Sequence, residues 1–175
     1  DRLLFVRWQT GIAADDPPPS MMQLHVGRFL MSTVGAAIFA AAAWGTLRYP
    51  HEVAVSEGAV GLAAESVLRG VALYDAVRWT QPPYVIVHYT PLYYLLTAAA
   101  QELAGGGFLA GRLVSVAFTL ATGVAAAIVA RRLAGRRSAA LAAAAIWLSF
   151  YQVAFWGTIQ RVDAPGIFFE AVGIA

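Results

Sequence analysis

Cysteine is absent from the 175 residues, which excludes disulfides, thiolate metal sites and thiol nucleophiles. Lysine is absent too: all twelve cations are arginine, a usage that together with the abundant alanine fits a GC-rich bacterial genome. Charge of either sign is scarce, 13% against the roughly 25% of soluble domains. No basic tract interleaved with aromatics occurs, so nucleic acid is not an expected partner. Apolar residues fill the space instead, at 59% of the chain with a mean hydropathy of +0.64. That balance predicts an all-α membrane protein, a multi-span helical bundle inserted in the cell membrane.

The chain starts at Asp1 and stops within the apolar run "GIFFEAVGIA", without a helix stop signal, as expected of a fragment cut at both ends. Residues 1–28, with the proline-stiffened "ADDPPPS", read as a cytoplasmic N-terminal segment or linker. Residues 29–175 read as the membrane domain. Phe29 to Leu47 is a 19-residue run without charge, flanked by Arg28 and Arg48. At 1.5 Å per residue it approximates the roughly 30 Å bilayer core, so it is the first expected span. Spans are also expected at about 109–130 and 138–156, with a fourth starting near Pro165. Between the first two, the outer loop 48–108 is expected to carry two helices lying along the membrane, at about 57–69 and 91–103.

Orientation follows from the short loops. Arg131, Arg132, Arg136 and Arg137 have no acid among them, and the positive-inside rule puts them in the cytoplasm. The loop after the first span carries Glu52, Glu57, Glu65, Asp75 and Glu102, more acids than arginines, which suits the outer face. If Pro91 to Leu103 crossed the bilayer, the arginine cluster would fall outside. Its uninterrupted apolar part is ten residues, about 15 Å as helix and half a span. It is therefore expected to lie on the surface, with Tyr93 and Tyr94 as interfacial anchors. Glu57 and Asp163 then face the same side.

Several residues have two readings. Glu57, in "AVSEGAVG", is either an acid favoured in a first helical turn, behind a Ser56 cap, or a catalytic base. Asp163, in "TIQRVDAPG", is an N-cap before Pro165, a catalytic carboxylate, or both. Arg161 either snorkels to the interface or pairs with a phosphate; Arg112, one turn inside an apolar helix, either snorkels or faces an anionic ligand. His88 is a hydrogen-bonded interfacial histidine or a metal ligand. Arg78 lies on the same side as these arginines.

Taken in order, "SEG" after the first span, "LRGVALYDAV", "HYTPLYYLL" followed by "GRLVS", and "RVDAP" before the next span resemble the start of a GT-C-type membrane glycosyltransferase. The group includes protein O-mannosyltransferases and lipid A aminoarabinose transferases. The resemblance implies transfer of a sugar from a polyprenyl-phosphate donor to a lipid, glycan or protein acceptor on the outer face, with inversion in a single displacement. It carries the catalytic role onto Glu57 and Asp163; the family's usual Asp-Glu pair is here Ser56-Glu57. Arg161, Arg112, Arg78 and Tyr89 become substrate-binding candidates. Some members hold a divalent metal ion near the "YTP" position, where this chain offers His88. The chemistry requires such groups: a hydroxyl is a poor nucleophile until a carboxylate takes its proton, and a departing lipid phosphate needs a cation. Two other readings compete, a non-catalytic assembly subunit of an envelope-polymer system and a transporter fragment with Arg112 and Asp163 lining its pathway.

Overall fold

The computed structural model describes residues 20–175 except 83 and 86; the proline-rich segment before Ser20 and the side chain of Arg78 lie outside the described residues. Among them the chain is all-helical. The first helix, α1, runs Met21–Arg48. It begins eight residues ahead of the expected span: Met21 to Arg28 contains no proline, and its single glycine, Gly27, is tolerated inside the helix. Phe29, Leu30, Val34, Ile38 and Trp44 on α1 stay exposed. Its packed face is small: a Cβ on Gly35 would sit 2.6 Å from the Ala145 carbonyl and 2.2 Å from Ser149 Oγ, so this glycine lets two helix backbones touch.

The segment after α1 forms α2, Ser56–Leu68, then the short α3, Val77–Thr80, and α4, Leu92–Ala104. Ser56 is the first residue of α2 rather than its cap; Val55 precedes the helix and no side chain caps it. Helix α4 buries Tyr93, Tyr94, Thr97, Ala98 and Gln101, residues spaced to fall on one face. That face packs on α2 and on the helix that follows. Tyr93 and Tyr94, each 2% exposed, belong to a core with Val60, Ala63, Val85 and Val87. They are core residues and not the interfacial anchors that their position suggested.

Helix α5, Phe108–Ala134, is the one helix among the described residues that is long and apolar enough to cross a membrane. It ends where Gly135 adopts a left-handed conformation (φ 65°) and returns its N–H to the Arg131 carbonyl, a C-terminal cap open to glycine at no steric cost. Arg112 and Arg131 mark its opposite ends. One face of α5 carries Gly111, Ser115, Thr119 and Gly123 at intervals of four, all buried. This stripe is the seat for everything that follows in the chain.

The expected span at 138–156 is not one helix. Helix α6, Arg137–Ser149, gives way at Phe150, whose backbone is extended (φ −66°, ψ 129°), to the six-residue α7, Tyr151–Trp156. Ser149 Oγ donates back to the Ala145 carbonyl at 2.6 Å, as a hydroxyl does when it competes with the backbone at a bend. Thirteen residues of α6 cover about 20 Å, short of a bilayer core. Helix α6 packs on both α1 and α5, with Trp147 Nε1 donating to the Thr119 carbonyl at 3.0 Å and its ring over Gly123. The last element, α8, spans Asp163–Ile174 and packs on α5.

Candidate functional site

The C-terminal end of α1, the start of α2, the first turns of α5 and the segment 157–161 meet at one end of the bundle. Arg112 is the knot. It is fully buried, and each of its five N–H groups has a partner within the chain. Nε donates to Glu57 Oε1 (2.8 Å), and Nη2 donates to Glu57 Oε2 (2.8 Å) and to the His51 carbonyl (2.8 Å). Nη1 donates to the carbonyls of Thr46 (2.7 Å) and Tyr49 (2.6 Å). The Thr46 carbonyl, which also accepts from the Tyr49 N–H at 3.2 Å, lies in the last turn of α1, where a cation is favoured. Arg112 therefore neither snorkels nor keeps a donor for a ligand, which removes the basis for a substrate-binding role.

Glu57 is equally enclosed, with no exposed surface. Oε1 accepts from Arg112 Nε and from the Gln160 N–H (2.8 Å); Oε2 accepts from Arg112 Nη2 and from the Val53 N–H (2.7 Å). Burial alone would push its pKa up. The Arg112 hydrogen bonds, the N–H groups of Gln160 and Val53, and the guanidinium charge outweigh that, and hold the carboxyl below its usual range. A carboxylate with four donors on it, out of reach of solvent, is poorly suited to take a substrate's proton. Its geometry suits an anchor that fixes α2 to α5.

Gln160 extends the anchor. Fully buried, it also donates Nε2 to the Glu57 carbonyl at 2.9 Å. Its side chain lies in the gap left by two glycines: a Cβ on Gly111 would sit 2.1 Å from Gln160 Oε1, and one on Gly61 would lie 3.0 Å from Nε2. The next residue is held as well, since the Arg161 N–H donates to Ser115 Oγ at 3.2 Å. Ser115 Oγ is in turn 2.8 Å from the Tyr93 hydroxyl, which also reaches the Gly111 carbonyl at 2.7 Å. Burial pushes the Tyr93 hydroxyl well above its ordinary pKa, keeping it protonated and able to donate.

Beyond this locked segment the charges emerge. Arg161 donates from Nε (2.9 Å) and Nη2 (2.5 Å) to the same oxygen, Asp163 Oδ2, and its guanidinium lies 4.6 Å from the Trp156 ring centre. The side chains are 30% and 44% exposed, and no described group donates to Oδ1. Asp163 opens α8 without capping it; Val162 holds the cap position and no side chain bonds there. The pair lines a cleft of about 280 Å³ whose other walls include Trp147, Val153, Trp156 and Ile167.

Thus Glu57, Arg112, Arg161 and Asp163 come together at one end, as an inner and an outer ion pair joined by Gln160. Tyr89 and His88 do not join them. Both are exposed; their rings lie 4.2 Å apart, and the Tyr89 carbonyl accepts from the Tyr74 hydroxyl at 2.6 Å. Among the described residues no three histidines or carboxylates gather in a group that could hold a metal ion, at His88 or elsewhere. Gln160, Ser115 and Tyr93 were not among the site residues expected from the sequence. The spacing of four from Gly111 to Gly123 signalled a close-packed seat, whereas nothing local marks Gln160.

Among the described residues the chain is all-helical, with a closed ion pair at the start of its long apolar helix and an open ion pair, ahead of the last helix, beside a mostly apolar cleft. No family model, curated protein or solved structure matches the chain.

Proposed function

We propose that this chain belongs to a multi-pass membrane glycosyltransferase that moves a sugar from a polyprenyl-phosphate donor to a lipid, glycan or protein acceptor on the outer face. The observation that carries the reading is the Arg161–Asp163 pair at the cleft: a cation and a half-exposed carboxylate beside aromatic and aliphatic walls, the combination a sugar on a lipid phosphate requires. Membrane insertion is supported by α5, where only 28% of the most apolar window is buried. The core helix of a soluble protein would hide that surface. In this reading α1, α5, the broken pair α6–α7 and α8 are embedded, the arginines from Arg131 to Arg137 are cytoplasmic, and the Glu57 end is outside.

Asp163 then accepts the proton of the acceptor hydroxyl as its oxygen attacks the anomeric carbon. The bond from that carbon to the lipid-phosphate oxygen breaks, its electrons leave with the phosphate, and Arg161 stabilises the charge. Glu57 and Arg112 hold the loop that presents the pair. The saturated state of Glu57 favours a second reading, an assembly subunit that keeps the scaffold without turnover. Transfer from polyprenyl-phosphate sugars by the purified full-length protein separates the two. In the enzyme, Asp163→Asn lowers turnover by about 10²-fold or more while the protein stays folded. Absence of transfer by the wild type with every such donor, or undiminished transfer by the variant, overturns the assignment.

A further inference from the structure

Sharing no residue with the Arg161–Asp163 cleft, a cavity of about 430 Å³ lies between α2, the end of α4 and the glycine turn that leads into α5. Three features of its wall select a ligand. Gln101 is only 7% exposed, yet its side-chain amide makes no hydrogen bond, and its Oε1 is buried without a partner. Oε1 is closed off from the cavity, but the amide nitrogen is not, and it is left as a donor for a ligand oxygen. Glu65, held by Arg69 and about half exposed, adds a carboxylate acceptor. Leu62, Leu68 and Phe108 supply apolar surface, and at Gly106 an added Cβ would meet nothing within 4 Å, so the space beside it is open.

We infer that this cavity binds an uncharged, hydroxyl-rich glycosyl unit, with its hydroxyls on Gln101 and Glu65 and its C–H face on the apolar wall. A phosphate does not fit the same wall, since no arginine lines it and a carboxylate does. An apolar ligand would leave the Gln101 amide unpartnered. The site goes beyond the proposed transfer reaction, because binding here requires neither Asp163 nor a lipid donor. Under that reaction it would hold a non-reacting sugar of the acceptor.

The test is saturation-transfer NMR on the purified full-length protein with methyl α-mannoside, methyl β-galactoside and methyl α-arabinofuranoside, in the absence of any polyprenyl donor. At least one glycoside is expected to receive saturation, and Gln101→Leu to weaken its binding by about tenfold, the loss of roughly one hydrogen bond. Gly106→Trp provides a second variant: a Cβ there meets nothing within 4 Å, so the ring can enter the cavity without straining the turn, and should abolish the signal. Asp163→Asn should leave it unchanged. No saturation with any glycoside, binding indifferent to both cavity variants, or displacement by inorganic phosphate would each overturn the assignment. A bound water satisfying Gln101 predicts the first of these outcomes.

Discussion

Two ion pairs linked through Gln160 behave in opposite ways. Glu57–Arg112 has no exposed surface, and every donor and acceptor in it is used. Arg161–Asp163 is partly exposed, spends both guanidinium bonds on one oxygen, and opens onto a cleft. The residue types match, yet burial decides what each can do. The inner pair is committed to holding the chain, whereas the outer pair retains capacity to meet a ligand. A carboxylate beside an arginine is therefore assigned a role by counting its remaining hydrogen-bond positions, not by its charge.

The comparison breaks most severely at Arg112. Arg112→Met leaves the Glu57 carboxylate buried without its cation and frees three backbone carbonyls, so a loss of about 3–5 kcal/mol is expected. It should be visible as a collapse of the folded fraction in detergent thermal denaturation; a near-normal melting temperature would show that the pair is not an anchor. Gly111→Ala comes next. The added Cβ meets Gln160 Oε1 at 2.1 Å, and overpacking of this kind costs about 1–3 kcal/mol. Gly106→Ala, in open space, is the matched control and should melt like the wild type.

Acid should loosen the inner pair by a smaller step, since protonation leaves the carbonyl bonds to Arg112 intact. The folded-state pKa of Glu57 is lowered, so its contribution is fully present above the unfolded value near 4.5 and is lost as pH falls through the folded value. A melting temperature followed from pH 7 downward should hold to about pH 4.5 and then fall progressively as the pH drops through the folded value. The wild type should lose more than Glu57→Gln, which starts without the charge. Smallest is Asp163→Asn: a pair this exposed contributes at most about 1 kcal/mol, so the melting temperature should barely move. Its effect belongs to turnover. A large fall in stability would make the outer pair a second structural clasp.

Local patterning reached far into this fold. The expected surface helices at about 57–69 and 91–103 lie within a residue of α2 and α4, and the apolar run at 109–130 lies inside α5. Those segments are set by apolar periodicity and by the glycines that stop them. Phe150 escaped, because an alanine-rich run from Ser138 to Trp156 contains no proline or glycine to mark a break. The local mark is Ser149, whose hydroxyl turns back to the Ala145 carbonyl, a bond that sequence alone does not announce. The same limit applies at the site. Glu57 and Asp163 stood out by their positions near apolar runs, but the partner of Glu57 is 55 residues away. Nothing near Arg112 in the sequence says that Thr46, Tyr49 and His51 would turn their carbonyls toward it.

The inner clasp also sets an order of events during synthesis. It ties the backbone at Thr46, Tyr49 and His51 to a side chain at position 112, and Glu57 to the backbone at Gln160. The exit from α1 and the start of α2 thus reach their final arrangement only after more than a hundred further residues have left the ribosome. Until then Glu57 has neither Arg112 nor Gln160 and must remain hydrated. The chain's first half waits, half-finished, for a short stretch of its second.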